Sequence, residues 1–110
     1  MTRAIIAGPD RGIESELTAH GVETVRLNGL ATGESLDDAE IASAQLLFIT
    51  DVEEATAVSV AKERNPEVRV IFYLDDAVPE FVRGQLDLAV DPDLLGPDVV
   101  VEEVVASVEE

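Results

Sequence analysis

Three aspartates stand just beyond apolar runs: Asp10 after Arg3–Ala7, Asp51 after Gln45–Thr50 and Asp75 after Val68–Leu74. Carboxylates converging at strand ends could take a hard cation such as Mg²⁺ or Ca²⁺. Each also has a simpler role, which outweighs the sharper one for Asp51 and stands level with a ligand role for Asp10. Asp51 precedes a helix pattern and suits an N-cap. Asp10, fixed by Pro9 before it, suits a turn residue that bonds its own loop. Acidic loops in so acidic a chain are expected to be solvated, so no metal is assigned. The lone His20 lies at a helix end, where a cation partners the helix dipole, and is not read as a base. No nucleophile, base and orienter stand at workable spacing, so no catalytic residue is assigned and the chain is expected not to be an enzyme. Arg11 and Arg83 are the cations placed near the ligand edge, while Phe72, Tyr73 and Phe81 are expected in the core.

The glycines of "AIIAGPDRGIESEL" (Ala4–Leu17) raise a second chemistry. An apolar strand, a glycine turn and an amphipathic helix together form the frame of a phosphate-binding loop. Gly8, Asp10, Arg11 and Gly12 would line it, but the Asp10 carboxylate stands where a phosphate would approach. Two like charges about 4 Å apart cost roughly 1 kcal/mol in water and about 4 near a protein surface.

Composition narrows the classes. The 110 residues make one domain, and there is no cysteine for a disulfide or thiolate site. Acidic residues number 24 against 7 basic ones, for a net charge of −17. Such a surface repels nucleic acid and anionic membranes. With 46% hydrophobic residues the chain is folded rather than an acidic tail. The lysine-poor acidic shell is like that of cytosolic proteins in salt-loving archaea, where a Debye length of about 3 Å at about 1 M salt screens self-repulsion. No signal-peptide pattern or membrane-length apolar run appears, so a cytoplasmic location is expected.

The elements that must position these residues alternate along the chain. Strands are predicted over Arg3–Ala7, Val22–Leu27, Gln45–Thr50, Val68–Leu74 and Leu86–Val90. Helices are predicted over Ile13–His20, Glu34–Ala44, Val52–Arg64 (capped by Asp51 with Glu54), Pro79–Gln85 and Asp98–Val108. The valines of "PDVVVEEVVASV" offer an apolar face that a second copy could cover. The alternation implies an α/β three-layer sandwich with a five-stranded parallel sheet in the order 2-1-3-4-5. Its switch point lies between strands one and three, where Gly8-Pro9-Asp10 and Thr50-Asp51 emerge, with Asp75-Asp76 one strand over.

"LLFITDVEEATAVSVAKERNPEVRVIFYLDD", "LDLAVDPDLLG" and "GLATGESLDDAEIASA" resemble the TrkA-N domain, the Rossmann-like half of RCK regulators of potassium channels and transporters. The chain would be a small, stand-alone, degenerate member of a salt-adapted type. The resemblance implies a site for NAD or another adenine nucleotide, held by Gly-x-Gly-x-x-Gly and an acid ending the second strand. Gly8 matches the first glycine. Asp10 stands at the second, and Ile13 at the third unless a one-residue deletion brings Gly12 there. The acid position reads Leu27-Asn28, and losing the ribose partner costs about 1.5–3 kcal/mol. Gly8, Asp10, Arg11, Gly12, Asn28, Thr50 and Asp51 are therefore the candidate cofactor residues of a weakened site, and no cofactor is assigned firmly.

Response-regulator receivers share the strand order, and there Asp51 would be a phosphoacceptor. Receivers also need paired acids after strand one for Mg²⁺ and a lysine after strand five. Here Asp10 has no adjacent acid, Asp91-Pro92 takes the lysine's place, and nothing cationic steadies an acyl phosphate. The first expectation is thus a non-catalytic TrkA-N/RCK-type domain that senses a small ligand or docks on a protein partner, with a homodimer as one form it could take. The second is an NAD or adenine-nucleotide regulator, and the third a receiver-like signalling domain.

Overall fold

Five short apolar runs become five parallel strands in the computed structural model, which describes residues 2–27, 29–75 and 77–108. They are β1 (Arg3–Ala7), β2 (Glu23–Arg26), β3 (Leu46–Ile49), β4 (Arg69–Tyr73) and β5 (Leu88–Val90), in the order β2-β1-β3-β4-β5. The expected order and fold class hold. Register is regular across the centre: Ile5 lies beside Val25 and Leu47, and Phe48 beside Ile71. Every residue of β3 is buried, as expected of a parallel strand covered on both faces.

The sheet separates two cores. On one side Ile5, Leu47, Ile49, Val70 and Phe72 pack under α2 (Gly33–Asp38) and α3 (Ala57–Arg64). On the other, Ile6, Phe48, Ile71 and Tyr73 pack under α1 (Ile13–Ala19) and α4 (Pro97–Val108). Val100, Val101, Val104 and Val105 are buried there, so the terminal valine face belongs to the core. Val99 alone of that run is left largely exposed among the described residues. No helix among the described residues is long and apolar enough to cross a membrane.

Three helices differ from their expected form, two of them because a side chain is drawn elsewhere. The Val52–Arg64 span begins as a 3-10 turn at Val52–Glu54 and becomes α-helical only from Ala57. The Asp51 carboxylate accepts the Glu53 N–H (2.9 Å), which tightens that first turn. Glu54 does not close a capping pair with Asp51: its carboxylate is buried and accepts the Ala31 N–H at 2.8 Å. The Glu34–Ala44 span stops at Asp38, reverses at Glu40 (φ 63°) and resumes as a 3-10 turn over Ile41–Ser43. The Asn65 amide fixes this bend by donating to the Ile41 and Ala44 carbonyls at 3.0 and 2.8 Å. The segment before β5 is a 3-10 turn over Glu80–Gln85 that buries Val82 and leaves Phe81 61% exposed, so Phe81 is not a core residue.

Candidate functional site at the carboxyl edge of the sheet

The β1–α1 loop turns sharply because β3 lies against it. Gly8 has φ 117°, and a Cβ on it would fall 2.5 Å from Thr50 Oγ1 and 3.0 Å from the Asp51 nitrogen. No side chain fits there. The fully buried Thr50 donates its hydroxyl to the Pro9 carbonyl at 2.5 Å. Its own carbonyl accepts Arg11 Nε at 2.9 Å. Arg11 reaches it from a left-handed backbone (φ 53°), and Gly12 (φ 85°) then leads into α1 against Pro97. Gly8, Arg11 and Thr50 are therefore brought together, but by binding each other.

Asp10 meets the helix rather than a ligand. Its carboxylate accepts the Glu14 N–H at 2.7 Å, and its carbonyl accepts the Ile13 N–H at 3.1 Å. The carboxylate thus takes up a donor at the N-terminus of α1, where a bound phosphate would have to find one. Asp51 caps its own 3-10 turn, and Asp91 does the same for the Asp93 N–H at 2.8 Å. Asn28 lies outside the described residues, as does Asp76. Asp75 is exposed and borders a cleft of about 150 Å³ with Leu74, Val78, Val90 and Asp91. Among the described residues no three acids or histidines are grouped closely enough to hold a metal ion, so Asp10, Asp51 and Asp75 do not converge. His20 is exposed at the end of α1, with Nδ1 2.9 Å from the Glu16 carbonyl.

The apolar pattern puts Tyr73 in the core, and it is buried there. Its hydroxyl adds a function that the pattern did not reveal: it donates to the Leu95 carbonyl at 2.8 Å and ties β4 to the loop before α4. A buried tyrosine needs such a partner, which was the available signal. Burial pushes its pKa above the ordinary value; the Asp98 carboxylate adds to the rise and the Arg11 guanidinium opposes it. Asp98 and Arg11 thus act on one phenol with opposite sign.

A family model described as "Family of unknown function (DUF7126)" matches residues 4–104. No curated protein matches the chain. Among solved structures, it is similar to an orphan response regulator of H. pylori, at 21% identity and a TM-score of 0.73, covering 96% of this chain and 94% of that one. The receiver domain of NtrC4 from Aquifex aeolicus matches at 10% identity and a TM-score of 0.67, over 96% and 98% of the two chains. An atypical orphan response regulator, whose structure is described as revealing a phosphorylation-independent regulatory mechanism, matches at 21% and 0.72, over 96% and 93%. These likenesses establish a receiver-type fold and correct the TrkA-N/RCK resemblance. The quoted motifs (apolar strand, Thr-Asp, alanine-rich helix, Asn-Pro) describe how a buried parallel strand passes into a helix and do not distinguish one doubly wound sheet from another. The strand order does, since 2-1-3-4-5 is the flavodoxin and CheY arrangement.

Proposed function

The chain belongs to DUF7126, a family of unknown function, and on that premise we propose that it is a receiver-like signalling domain that works without phosphoryl transfer, by binding another protein. One observation carries this reading: three aspartates at the carboxyl edge each accept a backbone N–H of their own loop. Asp10 takes that of Glu14, Asp51 that of Glu53, and Asp91 that of Asp93. A receiver's chemistry needs acids free to hold Mg²⁺ and a cation to steady the acyl phosphate. The position after β5 is Asp91, and Arg11, the cation over this edge, donates Nε to the Thr50 carbonyl. The domain is non-catalytic in this reading. Its acidic surface, at net −17, favours protein partners over nucleic acid.

The test is intact-mass spectrometry after incubation with acetyl phosphate and Mg²⁺. The expected outcome is an unmodified chain. A stoichiometric phosphoryl adduct that disappears in Asp51→Asn would overturn the reading.

A further inference from the structure

We propose that the open edge of β5 is a strand-addition site for an extended segment of another protein, an inference that rests on the protein-binding reading above. β5 is the last strand of the sheet. The Asp87 N–H donates inward to the Val70 carbonyl at 3.0 Å. Alternation along the strand then turns Ala89 toward β4 and leaves the N–H and C=O groups of Leu88 and Val90 facing outward. An added strand would satisfy these groups, which is the basis of recognition by β-augmentation.

Two grooves flank that edge, one on each face, as alternate side chains of an added strand require. The first exists because the crossover before β5 is a 3-10 turn that leaves the strand uncovered. It holds about 430 Å³ and is lined by Val78, Leu86, Leu88, Ala89 and Arg83. The second, about 260 Å³, lies between β5 and α4 and is lined by Ile71, Leu88, Val104, Arg69 and Glu103. No charge stands within Leu88-Ala89-Val90 to deter pairing.

Charge and size select the occupant. Arg69 and Arg83 border the grooves toward the start of β5, whereas Asp75 and Asp91 border the cleft at its end. Arg69 forms no ion pair among the described residues, and Arg83 reaches only the exposed Glu80 at 3.7 Å. Asp87 between them is already neutralised by Lys62 at 3.1 Å. The fitting segment has a bulky apolar residue at its centre, an acid at the end over Arg69 and Arg83, and a base at the end over Asp75 and Asp91. A second copy fits less well. Its β5 would offer the larger groove only the methyl of Ala89, and it would bring one net charge of −17 against another.

The test is to pan a displayed library of short random peptides on the whole protein at a salt concentration where it is folded. Leu88→Pro, which removes an outward N–H, serves as the control. Enriched peptides should alternate apolar residues between oppositely charged ends and bind Leu88→Pro about ten-fold more weakly, the effect of one lost hydrogen bond. If Leu88→Pro does not fold, Arg69→Glu with Arg83→Glu replaces it, both sites being exposed; the acidic end of the enriched peptides should then become basic. Failure to enrich, or equal binding to the control, overturns the proposal. So does a dimer that Leu88→Pro abolishes, which would identify a second copy as the occupant. Peptides that protect α1 amides instead would overturn the edge assignment while leaving the protein-binding reading intact.

Discussion

The two ends of the sheet are guarded differently. β2 is Glu-Thr-Val-Arg: Glu23 is ion-paired to Arg3, Arg26 is exposed, and α1 packs close beside the strand. Charges on an edge strand are a standard deterrent to pairing with another chain. β5 is Leu-Ala-Val, with Leu88 and Ala89 exposed and the preceding crossover too short to cover them. The same chain thus defends one edge and leaves the other open. The proposed partner contact therefore falls at β5, away from the carboxyl edge where the ligand residues of doubly wound sheets usually act.

Equal truncations should separate the edges most strongly. Leu17→Ala removes a fully buried side chain from the core of α1 and α4 and should cost about 2–5 kcal/mol in denaturant unfolding. Leu88→Ala, at a side chain 39% exposed, should cost less than about 1 kcal/mol. Equal costs would mean that β5 is covered after all. Next in size is the tether of β5. The Asp87 carboxylate accepts the Val70 N–H at 2.7 Å and pairs with Lys62, so Asp87→Ala should lose about 1–3 kcal/mol and speed exchange of the Val70 amide. Glu23→Ala, at a surface ion pair, should lose no more than about 1 kcal/mol.

Tyr73→Phe should lose about 1 kcal/mol by releasing the loop at Leu95. Its pH signature has a definite sign. The phenol's pKa is raised in the folded protein, so its contribution is present below the unfolded value near 10 and is lost as pH climbs through the raised one. Alkaline melts of the wild type should therefore show a loss of stability that Tyr73→Phe lacks. Salt has an effect of similar size. Screening of the net −17 charge by multimolar KCl should add about 1 kcal/mol, or roughly 4–8 °C in Tm, without narrowing the gap between Leu17→Ala and Leu88→Ala. A Tm flat with salt would remove self-repulsion from the account.

How much of this was legible depended on distance along the chain. The strands were readable because a run such as Leu46–Ile49 is apolar on both faces, and their spacing implied the order. Helix type was not, because Glu54 leaves its own turn for Ala31 and Asn65 bends a segment twenty-odd residues earlier. At the site, the aspartates' local capacity to cap could be read from neighbouring residues. The closeness of Gly8 to Thr50 and the bond from Tyr73 to Leu95 could not, since each joins separate elements. The openness of β5 was hidden for the same reason: it depends on Glu80–Gln85 forming a 3-10 turn in place of a covering helix.

The most direct measurement is a pair of amide spectra, recorded without and with Mg²⁺ and beryllofluoride, which mimics an acyl phosphate. Because Asp10 and Asp51 already accept backbone N–H groups, the domain should leave the signals of Asp51, Tyr73 and Leu88–Val90 where they were. Movement at Asp51 that carries through to β5 would contradict the account, since the protein would then be a working phosphoacceptor that governs its own open edge.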